Sequence, residues 1–235
     1  MKKISSYSGG ILLLLIIFSA CKKYDNKVTR IPSAGLMAFN LATDKDAVGI
    51  SLSGNNLTNT PLSYTSFTGG YLPVYIGSRE VKSIDAKTGT TLALSTQVFA
   101  DSMYYSLFTV GKNGSYRNVI VNDSLTKMTV STGHAFVRYI NAIPDSTVSP
   151  MVTISYNGSN IVNTIAGFGT VSGFTKVNVG TINVGVNSGD SINATRSIPV
   201  EESKAYTILL TGMPRATDTT KSVKIKYITN GTITP

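Results

Sequence analysis

The chain has 235 residues, 42% of them hydrophobic, with 21 Lys and Arg against 12 Asp and Glu and a formal net charge of +9. That length holds one large or two ordinary domains with a real core, while the low charged share (14%) and abundant Ser, Thr, Asn and Gly disfavour long helices. One histidine and one cysteine exclude the usual two- or three-histidine zinc centres and leave no cysteine for catalysis beyond Cys21.

The first segment is a leader. Lys2 and Lys3 precede an apolar run from Ile11 to Phe18, and small residues follow it. That is a secretory signal peptide, 1–20, whose eight-residue apolar run is far short of the about 20 residues a membrane span needs. Phe18-Ser19-Ala20-Cys21 resembles the lipobox of bacterial lipoproteins, with Phe18 where the pattern prefers Leu. The resemblance implies a diacylglycerol on the Cys21 sulfur, cleavage before Cys21 and acylation of the new amino group. Two or more acyl chains anchor a protein stably where one does not. Lys22 after Cys21, rather than Asp, favours the outer membrane, on its periplasmic or its cell-surface face.

Residues 21–34 follow as the lipidated cysteine and a basic tether carrying Lys22, Lys23, Lys27 and Arg30. Such a stretch can add about 1 kcal/mol per basic residue beside an anionic leaflet, or serve only as a solvated linker. Without Lys2 and Lys3 the chain keeps 19 basic against 12 acidic residues. An exported protein does not meet nucleic acid. Its basic surface suits anionic lipid heads, lipopolysaccharide phosphates or acidic glycans, or aids solubility alone.

Past the tether the chain repeats itself. Asn40 to Asp44 matches Asn141 to Asp145, Val48 to Ser51 matches Val152 to Ser155, Gly70-Tyr71 matches Gly173-Phe174, and Tyr105 and Gly111 match Tyr206 and Gly212. The offset stays within 101 to 104 residues, so two copies of one domain are expected, 35–125 and 134–230. Val152, Ile154 and Tyr156 alternate with polar residues, as do Ile182, Val184 and Val186, which is the period of half-buried strands. Asn113-Gly114, Asn157-Gly158 and Asn230-Gly231 mark turns. The expected fold is all-β: two tandem immunoglobulin-like antiparallel β-sandwiches after a cleaved lipoprotein signal peptide.

Asn141-Ala142-Ile143-Pro144-Asp145, then Val152 to Gly158, then Phe168 to Gly180 resemble domain-of-unknown-function family four-three-nine-seven. The second copy carries the pattern well; the first has Thr43 where the second has proline. The resemblance implies a secreted or lipid-anchored bacterial protein and brings no activity with it.

Few residues suggest chemistry. His134 opens the second repeat and is expected as a strand-edge or capping residue. Ser53-Gly54-Asn55, Lys87-Thr88-Gly89 and Ser124-Leu125-Thr126-Lys127 match the three elements of penicillin-recognising enzymes, but in the wrong order. Asp44 and Asp145 occupy equivalent positions, which favours a turn role over calcium. Tyr71, Tyr104, Tyr105, Tyr116 and Tyr206 are the candidates for a sugar platform in a chain with no Trp, although the equivalence of Tyr105 and Tyr206 favours the core. Asp-Ser/Thr triplets occur at five of the nine aspartates. They resemble the acceptor of the Bacteroidota O-glycosylation system, with Ser102, Ser124, Ser146, Ser191 and Thr219 as acceptors; turn chemistry accounts for them equally. No catalytic residue, metal site or cofactor is expected. The expected function is a non-catalytic interaction, adhesion or scaffold module of the cell envelope, partnered by the membrane and by an envelope protein or glycan. The alternative is a glycan-binding accessory of a polysaccharide-uptake system.

Overall fold

The computed structural model describes residues 30–129, 132–144 and 149–233. Pro32 to Pro235 forms one compact unit. Repeat 1 supplies β1 (Ser33–Ala42), β2 (Ala47–Leu52), β3 (Asn55–Asn56), β4 (Leu62–Ser63), β5 (Leu72–Tyr75), β6 (Gly77–Asp85), β7 (Thr91–Phe99), β8 (Tyr104–Lys112) and β9 (Ser115–Asn122). Repeat 2 supplies β10 (His134–Asn141), β11 (Met151–Tyr156), β12 (Ser159–Ile165), β13 (Thr175–Asn178), β14 (Gly180–Ser188), β15 (Ile192–Val200), β16 (Lys204–Thr211) and β17 (Lys224–Thr232). The helical elements among the described residues are two 3-10 turns, Leu125–Lys127 and Thr219–Lys221.

The two repeats are sandwiches of one topology. Repeat 1 pairs an inner sheet, β5-β1-β8-β9, with an outer sheet, β3-β2-β6-β7, and β4 joins β2. Repeat 2 repeats the plan with β13-β10-β16-β17 and β12-β11-β14-β15. Each inner sheet holds one parallel pair, β1 with β8 and β10 with β16, among otherwise antiparallel neighbours. Alternation in the sequence marks the faces of a strand but not its partners, so this parallel pair departs from the purely antiparallel expectation.

The residues that made the repeat visible hold it together. Asn40 and Asn141 are fully buried at the ends of β1 and β10. The Asn40 amide donates to the Leu62 carbonyl at 2.9 Å and its oxygen accepts from the Ala42 N–H at 3.1 Å. Asn141 does the same with Ala166 at 2.9 Å and Ile143 at 3.0 Å. Each side chain thereby ties its strand end to the segment crossing between sheets, satisfying backbone groups that pairing leaves open. Tyr105 and Tyr206 are buried and accept from the N–H of Ala100 (3.1 Å) and Glu201 (3.0 Å), five residues upstream in both copies.

Four strands are buried on both faces. In β1, Ala34, Leu36 and Ala38 enter the core of repeat 1, while Met37, Phe39 and Leu41 point the other way. In β10, Ala135, Val137 and Tyr139 enter the core of repeat 2, and Ile140 points away. Phe108 and Val110 of β8 and Leu209 of β16 join the same outward set. These residues form one cluster drawn from both repeats, so the inner sheets pack face to face and the molecule is four sheets deep. Phe39 anchors that seam, stacked on Phe108 at 4.7 Å and Phe67 at 5.5 Å between ring centres. Such aromatic pairs add about 0.5–1.5 kcal/mol each beyond the area they bury.

Gly111 and Gly212 sit at φ +133° and +105°, and an added Cβ would lie 2.1 and 2.2 Å from the carbonyl oxygens of Ser115 and Ser222. Gly173, by contrast, has open space around it. Gly212→Ala is therefore expected to cost about 1–3 kcal/mol in strain, with more from the backbone clash. Gly173→Ala should stay within about 0.5 kcal/mol of the parent. Urea unfolding midpoints at constant slope check both.

Candidate functional site

A concavity of about 750 Å³ opens at one end of the seam. Val121 and Asp123 come from β9 and the residues just after it, Lys127 and Met128 from the end and C-cap of the following 3-10 turn, Phe136 and Arg138 from β10, and Phe174 and Lys176 from the approach to and start of β13. Its floor is a ring of buried polar groups. Arg138 is 2% exposed and donates from Nη1 to Asp123 at 2.6 Å, from Nη2 to Ser106 at 2.7 Å and from Nε to Thr207 at 2.9 Å. Asp123 accepts in addition from Ser106 at 2.7 Å and from the Tyr71 hydroxyl. Thr207 donates to Asn230 at 2.6 Å, and the Asn230 amide donates to the Tyr71 oxygen at 3.2 Å, which closes the ring. The guanidinium lies 4.5 Å from the Phe174 ring centre and 5.7 Å from that of Phe108.

Strand alternation builds this ring. Arg138 occupies the seam-facing position of β10 between Phe136 and Ile140, and Ser106 and Thr207 are the seam-facing neighbours of Phe108 and Leu209. Burial, and then the Asp123 carboxylate beside it, pushes the Tyr71 hydroxyl far above its ordinary range, so Tyr71 remains a donor at every working pH. A lone buried charge would be strongly disfavoured. Here both charges are paired and hydrogen-bonded, the condition under which a buried ion pair is tolerated.

The ring members are related by the repeat. Ser106 corresponds to Thr207, Tyr71 to Phe174 and, by the offsets of β1 and β10, Met37 to Arg138. The registers Ser106↔Val121 and Thr207↔Ile228 place Asp123 and Asn230 two residues further on. Arg138 of repeat 2 faces Asp123 of repeat 1, and Asn230 of repeat 2 faces the sulfur of Met37 of repeat 1 at 4.0 Å. The seam is thus two-fold in plan, with an ion pair on one side and an amide–thioether contact on the other. Its charged groups are spent in structural bonds. What the cleft offers a ligand is its shape, its Phe136 and Phe174 walls, and the two lysines of its lining.

The sequence-predicted sites scatter. Cys21 and Ser146 lie outside the described residues. Ser102 is exposed at φ +61°, where its N–H donates to Ser33 at 2.9 Å and the Asp101 carboxylate accepts from the Ser33 N–H at 3.0 Å. Ser124 is at φ +50°, before the 3-10 turn, bonded to the Asn122 oxygen through its N–H at 2.8 Å. Ser191 is half-buried and its hydroxyl donates to the Ser188 carbonyl at 3.3 Å. Thr219 is exposed in a 3-10 turn that the Asp218 carboxylate caps by accepting from Thr220 at 2.8 Å. Of the triplet aspartates, Asp101 holds the start of β1 through the Ser33 N–H, Asp218 caps its own 3-10 turn, and Asp123 is part of the ring. Asp44 likewise accepts from Asn113 at 2.8 Å and from the Tyr116 hydroxyl at 2.7 Å, tying two turns together.

The tyrosine platform does not form. Tyr71 is in the ring, Tyr104 is 37% exposed and set edge-on against Tyr71 at 4.9 Å, Tyr105 and Tyr206 are in the cores, and the Tyr116 hydroxyl is held by Asp44. His134 opens β10 with Nδ1 2.8 Å from the Thr132 carbonyl, at the strand edge where it was expected. Sequence reasoning missed the ring, although its signal was present: Arg138 interrupts Ala135-Phe136-Val137-Arg138-Tyr139-Ile140, and Asp123 ends the apolar run Val119-Ile120-Val121.

Arg138→Met is expected to destabilise the protein by about 3–5 kcal/mol, because Asp123 is left buried and unpaired. Adding Asp123→Asn copies the Met37–Asn230 side of the seam and should restore most of that loss. A double-mutant cycle in urea reads the coupling; additive losses would show that the pair does not act as a unit.

No curated protein matches the chain. Among solved structures, a "putative cell adhesion protein" from Bacteroides ovatus covers 88% of this chain and 100% of its own at 8% identity and a TM-score of 0.26. A DUF3823 family protein from the same organism covers 72% of this chain and 100% of its own at 9% identity and a TM-score of 0.20. The family profile described as Domain of unknown function (DUF4397) matches twice, over residues 34–148 and 135–230. The second match spans the strands of the second sandwich, the first covers the first sandwich and runs on through β10, and the chain belongs to the DUF4397 family, as a tandem pair of its domains.

Proposed function

We propose that this is a lipid-anchored cell-envelope protein, held through Cys21 at the outer membrane, whose domains act as a non-catalytic interaction, adhesion or scaffold module. The observation that carries the reading is the seam cleft, whose buried Arg138 and Asp123 are committed to bonds that join the repeats. A shaped surface on one compact unit serves recognition. The leader, the lipobox-like junction and the DUF4397 domains agree with placement in the envelope.

The test is mass spectrometry of protein from its own host, with and without protease treatment of whole cells. The reading predicts Cys21 as the first residue, carrying acyl chains, and domains that are either shaved (surface display) or protected (periplasmic face). An unlipidated Cys21 overturns it.

The glycan-binding reading has one observation in its favour: Lys127 and Lys176 line a cleft walled by Phe136 and Phe174. It predicts saturable binding of polygalacturonate, weakened about tenfold or more, some 1.4 kcal/mol, in Lys127→Glu/Lys176→Glu. Absence of binding in the parent removes this reading.

A further inference from the structure

Exposed apolar side chains gather where the chain joins repeat 1. Ser33, the first residue of β1, pairs with Tyr75 at the end of β5. Tyr75 is 68% exposed and Ile76 37%, and Val98, paired with Ser78, is 63% exposed. A groove of about 310 Å³ beside them is lined by Leu52, Leu57, Pro73 and Tyr75. The guanidinium of Arg79 lies 5.8 Å from the Tyr75 ring centre and donates to the Ile76 carbonyl at 3.0 Å. Arg79 has no carboxylate partner among the described residues.

Repeat 2 provides an internal control. His134 pairs with Asn178 as Ser33 pairs with Tyr75, and Thr181 pairs with Pro199 as Ser78 pairs with Val98. The tether-bearing copy therefore has Tyr75, Ile76 and Val98 where the other has Asn178, a half-buried Val179 and Pro199. The fold does not require apolar side chains here; only the copy next to the tether exposes them.

We infer that this end of repeat 1 is a membrane-contacting face, seated on the leaflet that holds the Cys21 anchor. The inference rests on the lipid-anchor reading. Three features select the membrane as occupant. Eleven residues lie between Cys21 and Ser33, a reach of at most about 40 Å, so the anchor keeps this end of the domain near the bilayer. The tether carries Lys22, Lys23, Lys27 and Arg30, and the patch adds Arg79, all suited to anionic headgroups. Tyr, Ile and Val beside a cation is the chemistry of an interfacial contact, apolar bodies in the acyl boundary and charge at the phosphates.

The sole cysteine makes a defined test available. The chain from Cys21 onward, which contains the whole compact unit, is coupled through that thiol to a maleimide lipid in phosphatidylethanolamine–phosphatidylglycerol vesicles. Hydroxyl-radical footprinting then reads side-chain exposure by mass spectrometry. Labelling of Tyr75 and Ile76 should fall severalfold on coupling, while Met151 and Ile165, exposed apolar residues of repeat 2, should keep theirs. Arg79→Glu should return part of the lost labelling. Unchanged labelling of Tyr75 and Ile76 overturns the inference, as does protection of Met151 and Ile165 instead. Protection of Tyr75 in concentrated uncoupled protein also overturns it, by assigning the face to a second copy. Because the coupling is chemical, the result stands apart from the native lipidation state of Cys21.

Discussion

The structure depends on the seam between the two inner sheets and on the buried ring that closes it. A sandwich with one buried inner face would need a polar outer face on its inner sheet. Here β1, β8, β10 and β16 are buried on both sides, so neither repeat could expose its inner sheet without uncovering Phe39, Phe108, Ile140 and Leu209. Face-to-face packing buries that surface, and the ring of Arg138, Asp123, Ser106, Thr207, Asn230 and Tyr71 fixes how the two sheets meet. Apolar packing alone is non-directional. Hydrogen bonds with defined geometry supply the register.

The ring also shows how a duplicated domain became a single body. In a symmetric pair each copy would present the same residues to the other. Instead Met37 and Asn230 meet on one side and Arg138 and Asp123 on the other. The charge pair can form only between a repeat that carries the carboxylate and one that carries the guanidinium. Two first repeats would bring Asp123 against Met37, leaving the carboxylate buried without its partner. The divergence of the copies thus favours pairing within the chain, and it leaves the outer sheets, the seam cleft and the tether end of repeat 1 as the surfaces open to partners.

Much of the fold was legible because the chain states it twice. Asn40 and Asn141, Tyr105 and Tyr206, and Gly111 and Gly212 stood out by spacing, and each pair proves to do one structural job in both copies. The four-layer stacking was less legible. Alternation identifies a strand with one wet face, but a run such as Leu36-Met37-Ala38-Phe39 says only that both faces are buried, not against what. The parallel pairs were invisible for a related reason, since side-chain period carries no information on strand direction. The ring was overlooked because its residues are far apart in sequence, and because Ser, Thr and Asn are so common here that their participation carries no local mark. Tyr105 and Tyr206 lie in the cores, as their repeat equivalence favoured, because a hydroxyl lets a buried ring satisfy the backbone.

The seam makes the two repeats one cooperative unit. Differential scanning calorimetry of the protein tests it most directly. The account predicts a single transition whose calorimetric and van't Hoff enthalpies agree, because opening the seam exposes both inner sheets at once. Two resolved transitions, or a calorimetric enthalpy about twice the van't Hoff value, would show that the sandwiches unfold independently and would contradict it.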